Sequence, residues 1–397
     1  RPLRRKRIFQ RNDYFRPFKR RVAGAARRFV EQQCATLPHH QPNQPVPGFQ
    51  RRESRIPRGT KCRLKKYAIM KTYNWGIVGP GKIARKFADD LKLLPNARLH
   101  AVASTSPERA GAFADEYGIE HIFNRYEDMV QCPGLDVVYV ATPHALHCEN
   151  ALMYLENGIP VLCEKPFAMN TGEARRLVSA ARRNRVFLME ALWTRFIPAF
   201  DKAMQLISDG EIGEVHTVKS DFGFAMPFDP AHRIFNKALG GGSLLDIGIY
   251  PVLLSLFVFG KPEVEDILAA ATFTRTDVDE SCVFTFQYPG NRLAIGHSTI
   301  AANTPVEAAF YGREGTIYLH PRWHHTQRIT ISKYEGRGET SRDMEIPYDG
   351  WGYCLEAAHV MQCLDNEMLE SDKVPLDFTL DLVETLDAIR EKIGLVY

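Results

Sequence analysis

A chain of 397 residues, 45% apolar and 25% charged, is too long for one small core and has the composition of an ordinary soluble globule built as two domains. Its formal charge of +4 hides a segregation: residues 1–69 carry 20 Lys or Arg against 3 acids, and the remainder carries 31 against 44, a net of −13. A basic nucleic-acid footprint is therefore excluded for the body of the chain and confined to its leader.

The leader, 1–69, is basic, lacks helical or strand periodicity and has a Pro-rich middle (PHHQPNQPVPGFQ), which reads as disorder outside the folded body. Upstream sequence, a transit peptide and a tail for an anionic partner are the three readings of it. No apolar core of 7–15 residues follows the charges as a secretory signal requires. The eight cysteines never form CxxC, so they read as buried thiols in a reducing cytoplasm. His39-His40 and His324-His325 lack partners at metal-ligand spacing, and no metal is expected. The longest apolar run, SLLDIGIYPVLLSLFVFG, carries Asp246 and Pro251 and is short for a membrane span of about 20 residues.

From Tyr73 the pattern changes every 10 to 15 residues. YNWGIV, RLHAVAS, DVVYVAT, IPVLCE and VFLMEA read as strands, with helices at GKIARKFADDLKLL, PERAGAFADEYG, HCENALMYLENG and TGEARRLVSAARRN, the last capped by Thr171. Strands alternating with helices predict a parallel sheet covered on both faces, a Rossmann-type dinucleotide-binding domain over 70–191. In the first turn, GPGKIA, Gly79, Gly81 and Ala84 match the G-x-G-x-x-G/A fingerprint. Its glycines let the backbone approach a pyrophosphate, and the helix start at Lys82, Ile83 and Ala84 offers free amides to the charge. The second strand ends in Ser104, Thr105 and Ser106, with Arg109 one turn further on. Lacking the Asp or Glu of an NAD site, this end is expected to hold a 2′-phosphate, so the cofactor expected is NADP, with NAD possible.

The fourth of these strands, IPVLCE, leaves by way of Glu164, Lys165 and Pro166. Its carboxyl end shares an edge with the glycine loop, where open α/β sheets bind ligands. Pro166 keeps Lys165 extended, aiming the ammonium over the cofactor crevice, while Glu164 can anchor the turn by accepting hydrogen bonds. An ammonium against apolar walls is destabilised, which suits a proton-exchanging group.

These residues, with ATPHALH, MEALWTRFIPA, GGGSLLDIGIYP, GREGTIYLHP and the C-terminal ESDKVPLDFTLDLVETLDAIREKIGLVY, resemble the glucose-fructose oxidoreductase / inositol dehydrogenase family (Gfo/Idh/MocA) over essentially all of 72–397. Within it the chain is most similar to the branch of dimeric dihydrodiol and NADP-dependent D-xylose dehydrogenases. The resemblance implies a soluble, metal-free, nicotinamide-dependent oxidoreductase acting on a sugar or related cyclic alcohol. That branch often has an Arg after the second strand where this chain has Thr105. A keto-sugar (anhydrofructose-type) reductase and a non-catalytic nicotinamide sensor are the alternatives.

After Ala191 the rhythm breaks. GGGSLLDIGIYPVLLSLFVFG reads as a helix, and ILAAATFT, SCVFTFQY, RLAIGHSTI, VEAAFYG, TIYLHP and RITISKY read as strands that pair antiparallel in sequence. The expectation over 192–397 is a substrate-binding α/β domain with a large, mostly antiparallel sheet, whose uncovered apolar face forms a homodimer or higher homo-oligomer. Asp246 and Tyr250, four apart, share a helix face and match the family's D-x-x-x-Y position. Tyr250 is expected to take the proton of the substrate hydroxyl. Lys165 is expected to depress the phenol from about 10 and bond the same oxygen, although the two could exchange roles. Asp246 orients the sugar or the lysine. Thr142, Pro143, His147 and Arg195 are expected at the cofactor, and Trp193, Phe222, Arg233 and Trp323 at the substrate, with structural roles weighed for each of the histidines, Arg195 and the aromatics.

Overall fold

In the computed structural model, which describes residues 71–397 except Arg337, the strand–helix rhythm of the first half builds a six-stranded parallel sheet. The strands are β1 (Tyr73–Val78), β2 (Ala97–Ala103), β3 (His121–Phe123), β4 (Val137–Val140), β5 (Val161–Glu164) and β6 (Leu188–Ala191), in spatial order β3-β2-β1-β4-β5-β6. Between them run α1 (Lys82–Leu91), α2 (Pro107–Tyr117), α3 (His147–Glu156) and α4 (Thr171–Asn184). Strands β4, β5 and β6 are buried at every position, as a sheet covered on both faces requires. The short β3 lay beyond the sequence reading. The α4 cap is Asn170 rather than Thr171: Asn170 Oδ1 accepts the Glu173 amide at 3.0 Å, and Thr171 donates instead to Asp387. The leader, Cys34, Cys62 and the His39-His40 pair lie outside the described residues.

The second half adds α5 (Pro198–Ser208), β7 (Val215–Gly223), α6 (Ile249–Phe259), β8 (Ile267–Phe273), β9 (Asp279–Tyr288), β10 (Arg292–Thr299), β11 (Ala308–Gly312), β12 (Gly315–Leu319), β13 (Arg328–Glu335) and β14 (Gly338–Glu345). They form an eight-stranded sheet in the order β14-β13-β12-β11-β7-β10-β9-β8. One expectation fails here. Strands β10 and β11 do not pair, because β7, unread in the sequence, lies between them, antiparallel to β11 and parallel to β10. Every other pairing in this sheet is antiparallel. A single π-turn, Leu244–Gly248, precedes α6, which is buried along nearly its whole length and packs against β7 and β10. Among the described residues Lys237–Phe259 is long and apolar enough to cross a membrane, but 89% of its apolar window is buried inside the molecule, as in a core helix. The six described cysteines are free and buried.

The chain then returns to the first sheet. Helix α7 (Tyr353–Asp365) packs on α1, α8 (Leu376–Ile393) packs on α4, and the Leu188 amide bonds the Leu369 carbonyl. The α7 start is held by Asp90 of α1, 1% exposed, whose carboxylate accepts from the amides of Trp351, Gly352 and Cys354 at 2.8–3.2 Å. Asp90→Ala orphans these donors where water reaches them poorly. We expect it to lower stability by about 3 kcal/mol, and Asp90→Asn by about half that, read from urea denaturation midpoints.

Candidate active site

The glycine loop follows β1 directly. Gly79 has φ +87°, and a Cβ there would press on Thr142 and on the Ala141 carbonyl at 3.0–3.1 Å, so only glycine lets the loop lie this close to the end of β4. A Cβ on Gly81 would meet nothing within 4 Å, and α1 starts there with no side-chain cap and no acid in its first turn. An open, uncapped helix start beside a tight glycine turn fits a pyrophosphate. At the end of β2, Ser104 is buried and its Oγ accepts the Ser106 amide at 3.2 Å, while Thr105 and Arg109 stay exposed. Ser106 Oγ accepts the Arg109 amide and donates to Glu108 at 2.8 Å, so a carboxylate does stand at this corner, contrary to the expectation from the strand end alone.

The Glu-Lys-Pro turn is fixed from below. Glu164, buried, accepts from the Tyr139 hydroxyl and, at 3.1 Å, from the Lys165 amide; burial raises its carboxyl, opposed by Lys165. Glu190, fully buried on β6, accepts the Phe167 amide at 3.1 Å, and burial pushes its carboxyl up to about 8. His147 is also fully buried. Its Nδ1 lies 2.8 Å from the Pro166 carbonyl and its Nε2 2.8 Å from the Thr142 carbonyl, tying the β4 end to the lysine turn. The ring lies between these two backbone carbonyls and, when neutral, donates to one of them. Thr142 itself accepts from Asn150, and Pro143 opens the short turn that carries His144.

Above this turn the two halves of the chain meet. Lys165 Nζ donates to the Asp246 carbonyl at 2.6 Å, lies 3.8 Å from its Oδ1, and sits 5.2 Å from the centroid of the Tyr250 ring. Arg233 grips the same carboxylate with both Nη atoms, at 3.0 and 3.4 Å, and His144 Nε2 approaches to 3.7 Å. Burial would raise the Asp246 carboxyl, but the charges of Lys165 and Arg233 outweigh it and hold the acid far below the ordinary carboxylate range. Burial likewise drives His144 down to about 3, so it is a neutral ring, with Nδ1 on the Gly240 carbonyl at 3.1 Å.

The loop before Asp246 is held by a second buried acid. Asp279 accepts from Ser243 Oγ at 2.7 Å and the Leu244 amide at 2.6 Å, and Tyr397 bonds the Gly241 carbonyl. Gly242, at φ +112°, lies so close that any Cβ would collide with the Asp279 carboxylate. Gly242 therefore serves packing against Asp279, whereas a Cβ on Gly240 would press on Met169 and one on Gly241 on the Ile234 carbonyl.

Tyr250 departs from expectation. Its hydroxyl accepts from Trp193 Nε1 at 2.8 Å, and Lys165 faces its ring rather than its oxygen. Burial pushes the phenol far up, only partly offset by Trp193, so the anticipated depression by Lys165 is absent. Trp193 stacks on Tyr353 at 4.6 Å, and Phe222, half-buried, stacks on His324 at 4.4 Å beside the Tyr250 ring. Two expected ligand residues are placed elsewhere. Arg195 is buried in an ion pair with Asp201 over the Phe257 ring. Trp323, 0% exposed, spends its Nε1 on the Asp221 carbonyl at 3.0 Å and is core. The sequence reading left His144, Glu190 and Asp279 out of the site; each is a polar residue in an apolar context, the one signal that could have found them.

Residues 73–192 match the family model described as "Oxidoreductase family, NAD-binding Rossmann fold", and 200–318 match the GFO/IDH/MocA C-terminal domain. The chain belongs to the Gfo/Idh/MocA family of oxidoreductases. It is 38% identical to trans-1,2-dihydrobenzene-1,2-diol dehydrogenase of Danio rerio over 81% of this chain and 97% of that protein. It is 36% identical to the Xenopus tropicalis enzyme of the same name, over 81% and 98%. Among solved structures, the aldose-aldose oxidoreductase of Caulobacter crescentus in complex with glycerol superposes with a TM-score of 0.73 at 26% identity, covering 82% of this chain and 98% of that one.

Glu190 makes stability depend on pH. Its folded value, about 8, exceeds its ordinary 4.5, so between these values the native state keeps a proton that the unfolded chain releases. Stability therefore falls as pH rises through that window. We expect the wild type to lose on the order of a few kcal/mol between pH 5 and 8.5 in urea melts, and Glu190→Gln to lose clearly less.

Proposed function

We propose that this chain is an NADP(H)-dependent dehydrogenase of a sugar or related cyclic alcohol, with 70–191 holding the nucleotide and 192–397 the substrate and the subunit contact. The observation that carries the reading is the meeting of Lys165, from the carboxyl end of a parallel strand, with Asp246 and Tyr250, from the second half, beside the glycine loop's sheet edge. The relatives named trans-1,2-dihydrobenzene-1,2-diol dehydrogenase and the aldose-aldose oxidoreductase support an oxidation at a ring CH–OH.

Gly79, Gly81 and the α1 amides of Lys82, Ile83 and Ala84 hold the pyrophosphate, and Ser104, Thr105 and Arg109 face the adenosine ribose. Arg109 favours a 2′-phosphate and Glu108 favours a free hydroxyl, so NADP and NAD are both accommodated, with NADP preferred. The nicotinamide, when bound, supplies hydride chemistry. The protein's own task is one oxygen and one proton. The Tyr250 hydroxyl accepts from Trp193, and burial keeps it protonated, so its hydrogen is directed to the substrate oxygen. Lys165, after releasing its own proton to solvent, is then the group whose amine takes the substrate's hydroxyl proton. Asp246 anchors the lysine through its carbonyl, and Arg233 and Phe222 border the sugar. Run in reverse, the same set reduces a keto-sugar. A sensor without turnover is disfavoured by the complete Lys165–Asp246–Tyr250 set.

Following NADP reduction with a panel of aldoses and dihydrodiols tests this. Lys165→Met is expected to cut kcat by roughly 1,000-fold and Tyr250→Phe by roughly 100-fold, with nucleotide binding by fluorescence little changed. Near-normal turnover in both variants would remove the assignment.

The self-association reading rests on the outer face of the second sheet, where Leu268 of β8, Val283 of β9 and Ile295 of β10 are 59%, 48% and 38% exposed on adjacent strands. A second copy of the chain covers this face. Leu268→Glu with Val283→Glu is expected to convert the assembly to monomer in light scattering, and an unchanged mass points to another surface.

A further inference from the structure

We propose that His100, His121 and Cys132 form a binding site for a thiolate- and imidazole-seeking divalent cation of the zinc class. The site lies at the β2–β3 edge of the parallel sheet and shares no residue with the Lys165–Asp246–Tyr250 set. The three residues are 21 and 11 positions apart in sequence and come from two strands and the turn before β4, yet their ligand atoms all lie within 4.8 Å of one another.

The backbone aims them. In the β1–β2 pairing Leu99 stands opposite Trp75 and Ala101 opposite Gly76, so His100 is the extra residue of a β-bulge. A bulge redirects a side chain that would otherwise follow the pleat. The redirected ring meets His121 edge-on, with centroids 4.5 Å apart.

The ring is prepared electronically as well. His100 Nε2 lies 2.8 Å from the Pro133 carbonyl, the residue next to Cys132. Donating there leaves the lone pair on Nδ1, and Nδ1 is buried without a hydrogen-bond partner in a residue 7% exposed. A buried acceptor left unpaired costs about 1–3 kcal/mol and calls for an explanation. An imidazole with one nitrogen on a backbone carbonyl and the other bare is the outer-sphere arrangement that holds metal-binding histidines. Cys132, 6% exposed, supplies the third donor, and the half-buried His121 leaves an entry from solvent.

Two imidazoles and a thiolate select a borderline-soft cation over calcium or magnesium, and three protein donors leave a fourth, tetrahedral position for water. Zinc bonds of about 2.0–2.3 Å need donors roughly 3.5 Å apart, a closure of about 1 Å that rotation of His121 and Cys132 provides. Bound metal would clasp β2, β3 and the turn before β4 together, bracing the edge next to the Ser104 end of β2.

The test is cobalt titration of the purified, chelator-treated full chain. One equivalent of Co²⁺ should give a thiolate-to-cobalt charge-transfer band that Zn²⁺ abolishes, and Zn²⁺ should raise Tm by several degrees. Cys132→Ser should lose the band, and His121→Gln, at a half-buried position that folding tolerates, should weaken Co²⁺ at least tenfold. Both should keep metal-free turnover within twofold of wild type. Absence of the band at stoichiometric Co²⁺, or its persistence at unchanged affinity in either variant, overturns the proposal.

Discussion

The structure turns on one buried carboxylate. Asp246, 5% exposed, is held between Lys165, which leaves a parallel strand of one sheet, and Arg233, from the loop that precedes the π-turn of the other half. A carboxylate this deep is tolerated only when its charge is met and its oxygens are bonded, and removing one partner of such a cluster typically costs about 3–5 kcal/mol. The cluster is therefore weak as a source of net stability and strong as a constraint. It fixes the Lys165 ammonium over the Tyr250 ring, joining a loop of the first sheet to the π-turn and helix of the second half.

That constraint is propagated by further buried acids. Glu164 and Glu190 receive the amides of Lys165 and Phe167 and so hold the lysine turn on both sides. Asp279 does the same for the π-turn through Ser243 and Leu244. Glu356 on α7 differs: among the described residues neither of its oxygens has a partner, and burial pushes its carboxyl well above the ordinary value, so it is a neutral acid. Polar groups in the interior thus set backbone positions at the cost of burial, which is how a side chain on a loop is held in one place.

Apart from β3, the parallel sheet was legible because its strands are apolar runs of four to seven residues separated by amphipathic helices, and periodicity carries that information locally. That Lys165, Asp246 and Tyr250 come together was legible because Lys165 and Tyr250 each stand at an element boundary beside a proline, and Asp246 and Tyr250 match a family pattern. What was not legible is non-local. Strand β7 inserts between β10 and β11 although it precedes both by more than sixty residues, and no local pattern records that pairing. Trp323 and Phe222 are both aromatic in strand-rich sequence; only packing decides that one bonds Asp221 in the core while the other borders the site. The phenol of Tyr250 was misread because proximity to a cation was assumed to mean proximity to its oxygen.

The Glu-Lys-Pro order can now be understood as three separate tasks done by consecutive residues. The carboxylate faces inward and captures the amide of the next residue, so the strand end cannot fray. The lysine has its backbone amide committed inward and its side chain free to cross to the other half of the chain. The proline offers no amide proton of its own, and its carbonyl is what His147 grips. Exchanging the first two would break this, because a carboxylate in the lysine's place would face Asp246 with like charge. Sequence order here is a direct transcript of which backbone group must be satisfied next.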